Sequence, residues 1–152
     1  MTETKTLLVV HHTPSPALQT ILEAVLDGAR QVDGVEVVSR PALTASPVDA
    51  LGADGYVIGG PVNLGMLAGA VKHFFDQAYY PCLDATAGRP FGAYVHGNDD
   101  TAGALRDLGK IVTGLRWRQV HDHVTVLGHP GRDDTDAAWD LGATVAANLT
   151  MA

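Results

Sequence analysis

The sequence predicts an α/β domain, five buried strands in a mostly parallel sheet with helices on both faces, and three observations carry that prediction. Short apolar runs alternate with stretches of helical period along all 152 residues, the pattern of repeated βα units. The strand runs are apolar at consecutive positions, as expected where helices cover both sides of a sheet. The composition, 46% hydrophobic and 18% charged with 17 glycines and 8 prolines, suits a fold with many tight turns and neither a collagen-like nor a low-complexity chain. A chain of this length buries about two-thirds of the surface its unfolded form exposes, so it needs no metal or disulfide staple to fold.

The first strand is expected at 6–11. Leu18, Ile21, Leu22, Val25, Leu26 and Ala29 then recur at i, i+3, i+4, i+7, i+8 and i+11, a spacing that a helix produces and a strand does not. Gly34 closes that helix, and 35–40 makes the second strand. From 41 to 53 there is little periodicity and there are two prolines, so only a short helix near 48–51 is expected. Asp54-Gly55 is a turn before a third strand at 56–59. Leu67, Val71, Phe74, Phe75 and Ala78 form the next helical stripe, which Tyr79-Tyr80-Pro81 is expected to break. A loop runs to Arg89-Pro90, and the fourth strand covers 91–96. Leu105, Leu108, Ile111, Val112 and Leu115 give a helix ended by Gly114 or soon after. The fifth strand is placed at 119–127, with Val120, Val124 and Val126 on one face. Asp133, Asp134 and Asp136 suit the start of a last helix, because carboxylates offset the positive end of its dipole. Ala138, Leu141, Val145 and Leu149 carry that helix to the C-terminus. No repeat and no long linker interrupts this order, so 1–152 reads as one domain.

Ten basic against seventeen acidic side chains give a formal charge of -7, so there is no basic field to grip a phosphate backbone and no nucleic-acid partner is expected. Cys82 is the sole cysteine, which removes the intrachain disulfide as a sign of secretion and fits a reducing compartment. The N-terminal run Met1-Thr2-Glu3-Thr4-Lys5 lacks the pattern of a signal peptide. No run approaches the ~18 apolar residues of a membrane span. A cytoplasmic location is the expectation.

In an open doubly wound sheet, ligands sit outside the carboxyl ends of the strands where the strand order reverses. The loop after the first strand reads His11-His12-Thr13-Pro14-Ser15-Pro16-Ala17-Leu18-Gln19. Two hydroxyls at alternate positions precede a helix whose first amides have no partner inside it, which favours a phosphate group. The structural alternative is that Ser15 only caps the helix, with Pro16 pre-set at its first position. The loop after the third strand, Gly59-Gly60-Pro61-Val62-Asn63-Leu64-Gly65-Met66, lets backbone approach a flat ligand, and Asn63 offers a donor and an acceptor. The third loop, His96-Gly97-Asn98-Asp99-Asp100-Thr101, reads equally as a polar turn ending in a helix cap. His12 is placed at the mouth of the site. His121 and His123 lie two apart on the expected fifth strand and so share a face, a spacing compatible with metal ligation. No further ligand stands out, and no metal is expected.

The segment 53–77, with Asp54-Gly55, Gly60-Pro61, Leu64-Gly65, Ala68-Gly69, Lys72, Phe74 and Asp76, resembles a stretch of the flavodoxin-like FMN-binding superfamily. It is most similar to multimeric flavodoxins and NAD(P)H:quinone reductases of the tryptophan-repressor-binding-protein type. The resemblance implies a three-layer sandwich with a five-stranded parallel sheet of order 2-1-3-4-5. It implies FMN as cofactor, NADH or NADPH as co-substrate, a quinone-like or other small electron acceptor, and a homodimer or homotetramer as an admissible assembly. By position, Thr13, Ser15, Ala17, Leu18 and Gln19 would hold the FMN phosphate. Pro61, Val62, Asn63, Leu64 and Gly65 would border the flavin ring, and His96, Gly97, Asn98 and Asp99 would cover its pyrimidine side. No side chain is expected to act as a covalent catalyst, since the flavin carries the chemistry. The phosphate loop departs from the flavodoxin pattern by reading Thr-Pro-Ser-Pro, and the second loop lacks the aromatic that often stacks on a flavin, unless Leu64 packs there or Tyr79 or Tyr80 comes from a neighbouring subunit. Two alternatives therefore stand beside the reductase: an electron-carrying flavodoxin, and a flavodoxin-fold protein without cofactor. A nucleophile elbow, a dinucleotide fingerprint and a P-loop are absent. Where a response-regulator receiver needs an acidic residue, this chain has Gly59-Gly60. Arg89, Arg116, Arg118 and Arg132 are the candidates for a 2'-phosphate contact.

Overall fold

A computed structural model describes residues 3–151; Met1, Thr2 and Ala152, at the two ends of the expected domain, lie outside the described residues. The main strands are β1 (Lys5–His11), β2 (Val35–Pro41), β3 (Gly55–Asn63), β5 (Pro90–Gly97) and a broken edge made of β6 (Arg118–Gln119) and β7 (Val124–Leu127). They run parallel in the order β2-β1-β3-β5, with β6 and β7 both paired to the outer side of β5. Taking β6 and β7 as one strand position, this is the expected order 2-1-3-4-5. The helices are α1 (Pro16–Ala29), α2 (Pro47–Gly52), α3 (Gly69–Cys82), α4 (Ala102–Leu115) and α5 (Arg132–Thr150). None of them is long and apolar enough to cross a membrane.

The consecutive apolar residues of the strands are explained by two cores, one on each side of the sheet. Leu8 and Val10 point into a cluster with Tyr56, Ile58, Phe74, Phe75, Leu108 and Trp117, beneath α3 and α4. Leu7 and Val9 point the other way, into Leu18, Ile21, Val25, Val57, Tyr94, Leu141 and Val145, beneath α1 and α5. Period 2 along each strand thus feeds both layers. On the second face α1 and α5 touch backbone to backbone: a Cβ on Gly28 would lie 1.9 Å from the carbonyl oxygen of Trp139, and one on Gly142 would lie 2.0 Å from that of Val25.

Four expectations are corrected. The third strand does not stop at Gly59 but runs to Asn63, and β4 (Met66–Leu67) folds back against it as an antiparallel hairpin. Gly60-Pro61 reads locally as a turn, yet Pro61 needs no donor at a strand end, and the bend comes later, at Leu64-Gly65. Leu67 therefore belongs to the hairpin and not to the next helix. Tyr79-Tyr80-Pro81 does not break that helix: Pro81 sits within α3's last turn, where only one intrahelical donor is lost, and Leu83 N–H closes the end on the Tyr79 carbonyl at 2.9 Å. Residues 119–127 are not one strand, because the chain leaves the sheet between β6 and β7, and His121 and His123 lie in that break. As expected, α4 ends just past Gly114, at Leu115, with Arg116 in the left-handed region at φ 59. Its N–H reaches the Thr113 carbonyl while Trp117 N–H reaches that of Val112, a Schellman end with arginine where glycine is usual.

Candidate functional site

The parallel register sets the carboxyl ends of the central strands side by side: His11 pairs with Gly59, Gly59 with Tyr94, and Pro61 with His96. The loops leaving these ends touch one another. His12 N–H donates to the Gly59 carbonyl at 3.0 Å. A Cβ on Gly60 would lie 3.6 Å from that of His12, and one on Gly97 would lie 3.5 Å from that of Val62. Sequence reasoning missed a fourth member, the Gly128-His129-Pro130-Gly131 turn between β7 and α5. Gly128 N–H donates to the Gly97 carbonyl at 2.9 Å, and His96 Nε2 donates to the Gly128 carbonyl at 2.7 Å. That bond fixes the proton of His96 on Nε2, since a carbonyl only accepts. The available signal was the pair of glycines flanking His129-Pro130 directly before a helix.

The first loop enters α1 through Ser15, whose extended backbone and side chain make it the N-cap, with Pro16 at the first helical position. Ser15 Oγ accepts from Leu18 N–H at 3.2 Å, and the Ser15 carbonyl accepts from Gln19 N–H at 3.0 Å. Among the described residues, the amides of Thr13, Ser15 and Ala17 find no acceptor within the protein. Three donors at alternate positions, with a hydroxyl on two of the same residues, can surround a phosphomonoester at the positive end of a 14-residue helix. Capping does not compete with this, because a hydroxyl that accepts from Leu18 keeps its own proton to donate. Leu18 is buried in the core, and the Gln19 side chain turns along the helix to Glu23, at 3.1 Å. Both sequence-assigned side chains therefore point away from the loop.

The second loop is a two-residue turn in which Leu64 and Gly65 both have positive φ, 53° and 74°. That is the geometry of a type I' hairpin, whose twist matches the strands it joins. Glycine adopts it freely; Leu64 does not, and it is also 93% exposed. The turn is pinned to α4: a Cβ on Gly103 would lie 2.0 Å from the Gly65 carbonyl oxygen, and Leu67 N–H donates to Asp107 Oδ2 at 3.0 Å. Pro61 is buried, Val62 half-buried, and Asn63 exposed at the rim. In the third loop, Asn98 and Asp99 are exposed, Asp99 Oδ1 accepts from Asp100 N–H at 2.6 Å, and Asp100 Oδ1 accepts from Ala102 N–H at 2.9 Å. Asp100 thus serves the start of α4, while Asp99 holds the Asp100 amide and stands exposed at the edge with Asn98.

Other candidates fall elsewhere. Arg89 donates to the carbonyls of Leu51, Ala53 and Ala85 and to the Tyr56 hydroxyl, closing the amino end of the sheet. Arg116 pairs with Asp84 at that same end, and Arg118 opens β6, level with the start of β5. Of the four arginines only Arg132, in the first turn of α5, stands at the carboxyl edge. Tyr79 packs on Gly114 of α4 and Tyr80 is exposed near the C-terminus of α3, so neither reaches the edge within one copy. His121 engages the Asp122 carbonyl and Asp140 Oδ2. His123 has its Nδ1 buried without a partner, and burial lowers its pKa. Among the described residues no group of three or more potential ligands converges on a metal position. Burial also raises the pKa of the Cys82 thiol, the opposite of what a reactive cysteine requires.

No protein-family model matches the chain. Over 71 residues it is 36% identical to a curated flavodoxin of Aquifex aeolicus (strain VF5), a match that spans 47% of this chain and 38% of that protein. A crystal structure of a WrbA-like flavodoxin from Agrobacterium tumefaciens superposes with a TM-score of 0.80, covering 96% of this chain and 98% of that one at 19% identity. The fold is flavodoxin-like. The same flavodoxin-like fold matches 37% of the flavodiiron protein from Giardia intestinalis, with a TM-score of 0.83 over 97% of this chain and 16% identity. It accounts for the strand order and for the four loops gathered at one edge.

Proposed function

We propose that this chain binds FMN at the carboxyl edge of its sheet and acts as an oxidoreductase, taking a hydride from NADH or NADPH and passing electrons to a quinone-like or other small acceptor. The observation that carries the proposal is the start of α1, where the free amides of Thr13, Ser15 and Ala17 and two hydroxyls match a single terminal phosphate. The carboxyl-edge rule for open α/β sheets supports it, and flavodoxin is itself a standing example of that rule. FMN, when bound, supplies the electron chemistry. The protein's part is to bind and orient: Pro61 to Gly65 border the ring, while His96, Gly97, Asn98 and Asp99 face its polar edge. Arg132 is the residue placed to favour NADPH. We take 1–152 to work as one domain in the cytoplasm. A homodimer or homotetramer belongs to the same proposal, because among the described residues no exposed aromatic of the chain stands at the carboxyl edge to cover a flavin. The electron-carrier reading is favoured by the net charge of -7, which suits docking to a basic protein partner.

Stopped-flow mixing of the FMN-loaded protein with NADH or NADPH separates the two. A reductase bleaches the flavin band without any helper protein. If neither nucleotide bleaches a fully loaded sample, the reductase gives way to the carrier.

A further inference from the structure

The second core holds a polar group that packing alone does not explain. Tyr94 is fully buried and its hydroxyl has no hydrogen-bond partner. Its ring lies over Gly59, so closely that a Cβ there would sit 1.9 Å from the ring carbon bearing the hydroxyl. Gly59 is paired on its other side with His11. Residues in one row of a parallel sheet share a face, so Tyr94 and His11 lie on the same face with Gly59 between them. That imidazole holds Thr13 in the phosphate loop, with Nδ1 at 2.7 Å from Thr13 Oγ1.

The direction of the His11 to Thr13 bond decides what Thr13 can do. If Thr13 donates to Nδ1, its oxygen presents only lone pairs outward and repels an anion. If Nδ1–H donates to Thr13, the threonine proton is free to point outward as a donor. We infer that His11 is a positioning residue: it carries its proton on Nδ1, turns the Thr13 hydroxyl outward as a donor to a bound phosphate, and leaves the Nε2 lone pair on the face it shares with Tyr94. The unpaired Tyr94 hydroxyl favours this tautomer, because a lone pair on Nε2, not a second N–H donor, then stands in its row. Burial, and secondarily the charge of His12, lower the pKa of His11, so the ring is neutral near pH 7 and its tautomer is what matters. Pro41 and Gly59 flank it in the sheet, the core on that face is built from apolar residues of α1 and α5 such as Leu18, Ile21 and Leu141, the ionisable group that acts on its ring is His12, and Tyr94 stands two strands away in the same row.

This inference rests on the phosphate reading of the loop, and riboflavin, which lacks the phosphate, separates the two. His11→Phe is expected to weaken FMN about 10-fold, as for the loss of a bond supporting a charge-assisted donor, and to leave riboflavin unchanged. His11→Asn, whose amide can donate from nearly the place of Nδ1, is expected to recover most of that loss. A structural role alone would weaken both flavins together, and equal losses overturn the proposal. Nitrogen-15 spectra of the imidazoles in the unmutated protein give a readout independent of folding: with FMN bound, His11 is expected as the Nδ1–H tautomer, and an Nε2–H tautomer overturns the proposal. If the parent protein binds neither flavin, the FMN reading fails and inorganic phosphate becomes the probe. Shifts of the His11 and Thr13 resonances at millimolar phosphate would then keep the relay for an anion of another kind, and unmoved resonances would end it.

Discussion

Gly142→Ala is expected to lower the melting temperature by roughly 4–8 °C, and the same substitution at Gly109 is expected to raise it by about 2–4 °C. Both glycines lie inside helices, where alanine is worth up to about 1 kcal/mol over glycine. At Gly109 that gain stands, because a Cβ there meets nothing within 4 Å. At Gly142 it is overwhelmed. The new methyl would lie 2.0 Å from the Val25 carbonyl oxygen and 3.1 Å from the Ala29 nitrogen. These are backbone atoms of α1 that cannot rotate away, so α1 and α5 must separate along their whole contact. Overpacking of this kind costs about 1–3 kcal/mol and at times more. Thermal unfolding followed by circular dichroism reads both signs, and a stabilised Gly142→Ala protein would show that α1 and α5 do not touch as described.

Ser15→Ala carries the largest expected effect on ligand affinity, and it acts twice. In the flavin-free protein it removes the cap that accepts from Leu18 N–H, for a loss of about 1 kcal/mol. In the loaded protein it also removes a donor to a charged phosphate, worth about 1.5–3 kcal/mol, or roughly 10- to 150-fold in FMN affinity. The two effects are separable, since riboflavin affinity should follow only the first. An unchanged ratio of FMN to riboflavin affinity would confine Ser15 to capping.

What was legible in the sequence was whatever depends on local pattern and charge. The stripe from Leu18 to Ala29 fixed α1 because its period is incompatible with any strand. The apolar runs at 6–11 and 91–96 identified β1 and β5, because both faces of each strand meet a helix layer. Elements whose limits are set by distant partners were not legible. Gly60 to Asn63 extends β3 through pairing with β5 and β4, and the turn that ends it depends on Gly103 of α4 lying against Gly65. Pro81 is tolerated because it stands in the final turn of α3, a position that no local signal distinguishes from the helix interior. The edge strand breaks at Val120 to His123 although its composition is ordinary for a strand. In the candidate site, the hydroxyls and glycines were visible as residue types, but not which atoms stay free. That Leu18 and Gln19 turn away, that the amides of Thr13, Ser15 and Ala17 are unpaired, and that Gly128 closes the edge follow from three-dimensional placement. The role of Tyr94 depends on Gly59 standing between it and His11, a relation across three strands that chain order does not reveal.

The central claim is a site for a flavin monophosphate at the carboxyl edge, and a fluorescence titration of the purified protein with FMN, riboflavin and FAD tests it most directly. The start of α1 offers one phosphate position, and among the described residues no second one was identified for an adenosine, so FMN is expected to bind most tightly, with FAD and riboflavin each weaker. Absence of FMN binding at concentrations on the order of tens of micromolar, equivalent to less than about 7 kcal/mol, would contradict the claim and leave a flavodoxin-like fold without its cofactor.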